Sequence, residues 1–534
     1  MMDREAAVPA LDSDEDCTLS SEEDSDSDDE YLHFEERLDP KEDVIPDECG
    51  KNGAKEPVAK RAKADKQPTL SWKTETDIDV APQALRFLPK REPGPQLKPR
   101  DAHSAMSLFK MFFSESAVLT LCRNTNAQAA KSRAKGRKYK CTLKSIRDYW
   151  RQDSLFSVPF PATVMSRDRY LTISWNLHMS HPGADKENDR KRGTAEHDCL
   201  FRVRPLMDTI RLACKTIYHP RRNLAVNEGV VACKANTEMT QCMKATPTRW
   251  GFKLFVLADS SNGYTVDFAV YTGKNSFPTG HGLSYDAVMS LLDRIVLGSG
   301  YHVYMDNFYT SPKLLTDLFA LKFGACGTYR DNRKGCPQDA ANSLTSKSAR
   351  GSMRWIRDEH LVFVKWMDAR EVSVCSTIHA AQTGDTMQRR VKTQNGWRTK
   401  SFPCPAPVIA YNQHMGGVGL SDQLLQYYTA QHKTMKWYRK LFPHFLDIAA
   451  TNAYIVHKEL YGNMSHKEFM EELITELFPG AGQASDATAG RRICALCKAK
   501  SGKRQDTPWN CQACDVHLCV QLKRNCFLDW HKVV

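Results

Sequence analysis

No stretch of the 534-residue chain holds the roughly 18–20 consecutive apolar residues that a membrane-spanning helix needs. Its first residues, MMDREAAVPALDSDEDC, lack the basic start and apolar core of a secretory leader. Both absences point to a soluble protein with no membrane partner. Regularly paired cysteines are missing over most of the length: twelve of the 18, Cys17 to Cys404, are scattered without paired spacing, as expected of intracellular thiols rather than a disulfide framework. Acidic residues are scarce after the first 56 positions. That opening segment carries 21 Asp/Glu against 5 Lys/Arg, and the remainder 70 bases against 42 acids. A body of that charge attracts polyanions, nucleic acid first among them.

The opening DSDEDCTLSSEEDSDSDDE has too little apolar surface to offset chain entropy and is expected to be disordered. It reads as a solvating tail or, with serines set among acids, as a phospho-regulated arm. The short basic run Pro57 to Pro68, PVAKRAKADKQP, reads as a nuclear-localisation segment or as solvated charge. Helical periodicity begins near Ser104 and returns over Met165 to His181; residues 182 to 198, PGADKENDRKRGTAEHD, read as a polar loop between helices. Lys131 to Lys140 is a basic cluster suited to phosphates.

Strand patterns start at Asn223. NLAVNEGVVAC alternates, and WGFKLFVLADSSNGYTVDFAVYTG reads as two antiparallel strands turned at Ser261 to Gly263. A helix over 283 to 297 follows. The apolar run YHVYM then stops at Asp306, and Pro312 opens another helix, with FGACGTY as the next strand. This βββαβαβ order is that of an RNase H-like fold. In such folds carboxylates on the first strand, at the end of the fourth strand and on a later helix hold two Mg²⁺ ions for attack on a phosphodiester.

With those elements in place, the chain over roughly residues 95 to 534 resembles the piggyBac transposase family and its domesticated relatives. The motifs that carry the resemblance are FFSESAVLTLCRNTNAQA, VMSRDRY, TPTRWGFKLFVLADSSNGYTVDFAVYTGK, MDNFYTS, GTYRDNRKG, YNQHMGGVGLSDQ and KWYRKLFPHFLDIAATNAYI. The resemblance implies cut-and-paste movement of DNA at TTAA sites and two Mg²⁺ ions held by aspartates. It also implies a helical dimerisation and DNA-binding domain, and a mostly β insertion in the catalytic core. Residue by residue, the family's second aspartate is Asp306. Its first corresponds to Asn227, which is followed by Glu228, and its third to Gly419, after Gly416-Gly417-Val418; a further aspartate is kept as Asp422. Asn lends Mg²⁺ a neutral oxygen but no charge, and Gly lends no side chain. Glu228 should face away from Asn227 on a strand, whereas Asp422, three residues along a helix from Gly419, should share its face. A helix of about five turns that the family carries between KYKCTLKSI and RDYW is shortened or absent here.

The tail has its own signature. Cys494, Cys497, Cys511, Cys514, His517, Cys519, Cys526 and His531 are eight ligands in a segment too small to fold on an apolar core, and they suffice for two structural Zn²⁺ ions. By analogy with cross-brace modules, Cys494 and Cys497 should share one ion with His517 and Cys519, and Cys511 and Cys514 the other with Cys526 and His531. The tail also resembles the family's cysteine-rich domain, which binds transposon-end DNA.

The expected class is therefore α/β: an RNase H-like core with a mostly β insertion, preceded by a helical domain and followed by a small zinc-binding cross-brace domain. The expected divisions are a disordered region 1–95, a helical domain 96–222, core segments 223–330 and 401–478 around an insertion 331–400, a linker 479–490 and a zinc domain 491–534. The leading functional reading is a nuclear, transposase-derived DNA-binding protein with a degraded metal site. The alternatives are an active transposase using Mg²⁺ and a module that contacts chromatin proteins through the zinc tail. A homodimer is a further expectation.

Overall fold

The computed structural model describes residues 72–478 and 492–530 apart from internal stretches, the longest being 135–158, 243–249 and 274–278. The basic run at 57–68, the acidic opening, most of the 131–140 cluster and the linker at 479–490 lie outside the described residues.

One mixed sheet of nine strands organises the chain. In chain order the strands are β1 (Asn223–Ala232), β2 (Thr240–Cys242), β3 (Trp250–Asp259), β4 (Thr265–Val270), β5 (His302–Met305), β6 (Gly324–Thr328), β7 (Met353–Asp358), β8 (Leu361–Met367) and β9 (Glu371–Ser376). Their spatial order is β7-β8-β9-β6-β5-β1-β3-β2, with β4 beside β2 on the free edge of β3. The pair β1–β5 and the pair β5–β6 are parallel; the remaining neighbours are antiparallel. The run FKLFVLAD in β3 and LVFVKWM in β8 is almost continuously apolar because both faces are covered.

Helices cover those faces. The longest, α6 (Trp437–Tyr461), buries residues on all sides and takes α1 (Ala105–Phe112) and α2 (Arg204–Ile217) against it. Asn452 pins it to the sheet: its amide accepts from the Thr265 N–H at 3.0 Å and donates to the Thr265 carbonyl at 2.9 Å. Buried in this way, with both functions paired, an amide specifies one packing of helix on strand. The other helices that matter below are α3 (Pro312–Ala320), α4 (Ala406–His414) and α5 (Gly417–Tyr427).

Three departures from the sequence reading have physical causes. Residues 72–95, assigned above to a disordered arm, lie along the sheet as a strap. Lys73 exchanges backbone hydrogen bonds with Trp355, Trp72 is 3% exposed, Leu88–Pro89 pairs with Gly298–Ser299, and Gly94–Pro95 pairs with Tyr218–His219. Gly300 accommodates it: at φ +80° this residue would place a Cβ 2.2 Å from the Arg86 carbonyl. Secondly, Pro182–Arg190, read as loop, is a helix. The apolar periodicity is absent because polar groups dock it: buried Asp185 receives Ser180 Oγ at 2.5 Å and lies 2.5 Å from His178 Nε2. Thirdly, the insertion ends later than expected. Its strands β7 to β9 extend the core sheet from β6, and its final hairpin runs to Pro403, across the expected boundary at 400.

The strap is fastened by Asp79, whose side chain is 2% exposed and takes two hydrogen bonds of 2.6 Å from the Arg357 guanidinium and one from the Ala381 N–H. Removing one partner leaves the other charge buried and unpaired, so Asp79→Ala is expected to cost about 3–5 kcal/mol. Urea unfolding at pH 7, read together with proteolytic cleavage within 72–80, checks this; an unchanged midpoint and an uncut strap would refute it.

Candidate active site and cysteine centre

Parallel pairing sets the first site. Asn223 to Val226 of β1 stand opposite His302 to Met305 of β5, so the next residues on each strand, Asn227 and Asp306, come out side by side at the same end of the sheet. Strand alternation puts both on the face of Ala225 and Tyr304. Tyr304 packs there with Val408 of α4 and with Met415, so this face is the one that α4 and α5 cover. Glu228 takes the opposite face, as expected. It is cross-strand to Phe255 and its carboxylate meets Lys253 Nζ at 2.6 Å; the same ammonium sits 4.0 Å from the centre of the Phe308 ring.

The turn after Asp306 is held tightly. The Phe308 N–H donates to Asp306 Oδ1 at 2.9 Å, and Thr310 donates to the Asp306 carbonyl through its N–H at 3.1 Å and its hydroxyl at 2.8 Å. Arg333 donates to the carbonyls of Asn307, at 2.7 Å, and Phe308. Strand β6 passes beneath so closely that a Cβ on Gly327 would lie 2.2 Å from Thr310 Oγ1, which explains glycine at that position. Burial raises the Asp306 carboxyl above the usual carboxylate range and the charge of Glu228 adds to this, while the Phe308 N–H and Lys253 oppose it.

Asp422 approaches from α5. That helix lies on β1 and β3, with Ser421 Oγ 2.9 Å from Thr265 Oγ1, and it brings Asp422 Oδ1 to 3.7 Å from where a Cβ on Gly229 would stand. Gly229 is two residues further along β1 from Asn227, past the end of the pairing with β5, on the same face. Burial pushes the Asp422 carboxyl up to about 6. Gly419, one turn earlier, is exposed, and a Cβ there would have nothing within 4 Å. The structure thus brings Asn227, Asp306 and Asp422 to one covered face of the sheet. Among the described residues, however, Asp306, Asp422 and Glu228 do not form a group whose donor atoms all lie within 4.8 Å of one another.

Such a group does occur in the tail: Cys494, Cys497, Cys519 and Cys526 are all buried and have their sulfurs within 4.8 Å of one another, so they can hold a metal ion. Cys497 Sγ is 3.4 Å from Cys526 Sγ and 3.8 Å from Cys519 Sγ. Burial raises the Cys494 thiol, but N–H groups of Cys497 and Cys519 outweigh it and bring it down to about 7. A site that stabilises one thiolate while crowding three more sulfurs around it matches the donor chemistry of a thiophilic cation. The arrangement corrects the expected partition: Cys526, not His517, completes the Cys494 set. The short helices Ala495–Ser501 and Cys526–Trp530 pack together, whereas His517 is held in a hairpin opposite Asn510, next to Cys511. Cys514 and His531 lie outside the described residues, as does the side chain of Cys511.

Sequence reasoning missed Lys253, Arg333 and Gly327 at the Asp306 turn. Their partners lie 25 to 26 residues away or on another strand, and a charged residue in an apolar strand, Lys253, was the one available signal.

A family model described as Transposase IS4 matches residues 104–454. The chain is 26% identical over 432 residues to the human PiggyBac transposable element-derived protein 2, covering 76% of this chain and 69% of that protein. It is 24% identical over 548 aligned positions to the human PiggyBac transposable element-derived protein 3, covering 92% and 86%. Among solved structures, the piggyBac transposase of a synaptic complex with hairpin DNA matches with a TM-score of 0.60 at 21% identity, over 80% of this chain and 98% of that one, which is a likeness of fold.

The raised Asp422 carboxyl has a stability signature. Its folded value near 6 exceeds the ordinary value near 4, so between those pH values the folded state binds the extra proton and stability falls as pH rises through that window. Asp422→Asn is therefore expected to raise stability by roughly 1–3 kcal/mol at pH 7.5 and to have little effect at pH 4. Urea midpoints of the two proteins across this range test it, and a constant difference at every pH would refute it.

Proposed function

The chain belongs to the piggyBac transposase family, and from that membership we propose that it is a nuclear, DNA-binding protein derived from a transposase, built on an RNase H-like core that no longer supports transposition. The RNase H-like reading is supported by the order β4-β3-β1-β5-β6, with β1, β5 and β6 parallel, β3 antiparallel to β1, and β4 antiparallel to β3. The observation that carries the loss of chemistry is the register placing Asn227, a neutral amide, beside Asp306. Two Mg²⁺ ions bring four positive charges, and this face offers Asp306 and Asp422 against them, with Glu228 turned to Lys253 on the other side. Under-neutralised, two divalent ions repel each other and bind weakly.

The test is excision of a piggyBac-type element in cells. The unmodified protein and either single reversion, Asn227→Asp or Gly419→Asp, are expected to be silent, and the double reversion to be required for activity. The open space at Gly419 leaves room for the added carboxylate. Mg²⁺-dependent cleavage of terminal-repeat DNA by the unmodified protein, abolished by Asp306→Ala, would overturn this reading in favour of an active transposase.

Two Zn²⁺ ions complete the proposal. The four-cysteine cluster takes one, and Cys511, Cys514, His517 and His531 remain for the second, a Cys₂His₂ set. Elemental analysis of the full chain is expected to give two zinc ions, and Cys526→Ala to remove the ion of the all-sulfur site. A count of one or none would sink the assignment. The tail and the helical domain are the DNA-contacting parts in this reading, with a homodimer as the working assembly. A zinc tail that contacts chromatin proteins instead would give binding insensitive to salt, whereas phosphate contacts make log K fall steeply with log salt.

A further inference from the structure

The hairpin that closes the insertion, β10 (Thr386–Thr393) and β11 (Gly396–Pro403), is set apart from the sheet. Its two strands pair in full register with each other and, among the described residues, with no other strand. All described residues from Gly396 to Ser401 are exposed. At its base Phe402 is buried and Met387 packs on the core, whereas the outer part of β11 has no covering layer, and a bare two-stranded ribbon is marginal in water. Its composition is one-sided: residues 386–403 contain five Lys/Arg and no Asp/Glu.

The register sharpens this. Arg389 stands directly opposite Lys400, with Arg398 next on the same face; Arg390 and Lys392 share the other face with Trp397. Like charges directly opposed across a ribbon destabilise it. The Asp368 carboxylate meets Arg389 at 3.0 Å and relieves one of them at the base. Edge strands often carry a lysine or two to prevent sheet-to-sheet association. That device does not account for opposed cations on one face, nor for Trp397 left 62% exposed with the Arg390 guanidinium 5.7 Å from its ring. A flat aromatic beside a guanidinium, on a strip of cations without acids, is the chemistry of a surface that meets phosphates and stacks on sugar or base. The width also fits, since the major groove of duplex DNA admits a two-stranded β-ribbon.

We propose that this ribbon is a DNA-binding arm that lies against duplex DNA, with Arg390, Lys392, Arg398 and Lys400 on phosphates and Trp397 packed on the nucleotide surface. The inference rests on the DNA-binding reading above and adds to it a contact point within the insertion.

The experiment compares the full chain with two variants: Arg390→Ala, Lys392→Ala, Arg398→Ala and Lys400→Ala combined, and Trp397→Ala alone. Binding to a duplex of random sequence and to one of its single strands is measured from low to moderate salt, with zinc content and thermal melting recorded for each protein. Each lost phosphate contact removes about 0.9 from the slope of log K against log salt. The combined variant is expected to lose about 2–4 from that slope and roughly tenfold or more in affinity at low salt. Trp397→Ala is expected to weaken binding without changing the slope, and a protein with charge-conserving Arg→Lys and Lys→Arg exchanges at the four cationic positions is expected to keep the slope of the unmodified chain. If the unmodified chain binds duplex DNA and the combined variant matches it in affinity and slope, the ribbon is not a DNA arm, while the DNA-binding reading stands. If the combined variant loses single-stranded but not duplex binding, the assignment to duplex DNA is overturned. An unmodified chain that binds no DNA at all would overturn the DNA-binding reading and the arm with it.

Discussion

The alignment of β1 with β5 is the constraint from which the rest of the core follows. Parallel strands cannot be joined by a tight turn, so the chain between them must cross over, and here it carries β2, β3, β4 and the helix Leu283–Leu291 on the way. Once Val226 is opposite Met305, Asn227 must be the neighbour of Asp306, and Glu228 must face away. A shift of one residue would exchange those two roles and turn a glutamate toward α4 and α5. The apolar residues Leu224, Val226, Val303 and Met305, all buried, oppose such a shift, because it would carry them to the other face. The geometry of the site is thus enforced by core packing several residues away from it.

How much of this could be read from sequence depended on how local the cause was. Asp306 at a strand end was legible because an apolar run stopped there and Pro312 opened a helix. The paired strands β3 and β4 were legible from alternation around Ser261 to Gly263. Helix Pro182–Arg190 was not, because what stabilises it is the burial of Asp185 against His178, Ser180 and Arg202, and a polar composition with Pro and Gly looks like loop when those partners are unknown. The strap over 72–95 escaped for a similar reason: it has one large buried aromatic, Trp72, and otherwise backbone pairing and the Asp79–Arg357 contact. In the tail the ligands were legible from CxxC spacing, but their distribution was not. Spacing shows which residues are donors, whereas the packing of two short helices decides that Cys526 joins Cys494 and Cys497.

The cysteine cluster and the Asp306 turn differ in what surrounds them. Around Cys494 the backbone donates to sulfur, as in the Cys519 N–H to Cys494 Sγ bond of 3.3 Å, so negative charge is stabilised where a cation would sit. Around Asp306, Thr310 and Arg333 fix the turn, while burial and the Glu228 carboxylate work against the charge more than the Phe308 N–H and Lys253 support it. Such a turn preserves the geometry of a fold whether or not the carboxylate at its tip has work to do.

The strap also imposes an order on the chain's synthesis. Asp79 is bonded to the Ala381 N–H across 302 residues, and Trp72 rests beside Lys365. A ribosome adds about 5–20 residues per second, so on the order of 15–60 s separates the appearance of Asp79 from that of its last partner. Throughout that interval the segment has left the exit tunnel with a tryptophan and a carboxylate that have nowhere to dock. It is therefore among the last parts of the core to settle and, for that time, a ready hold for chaperones.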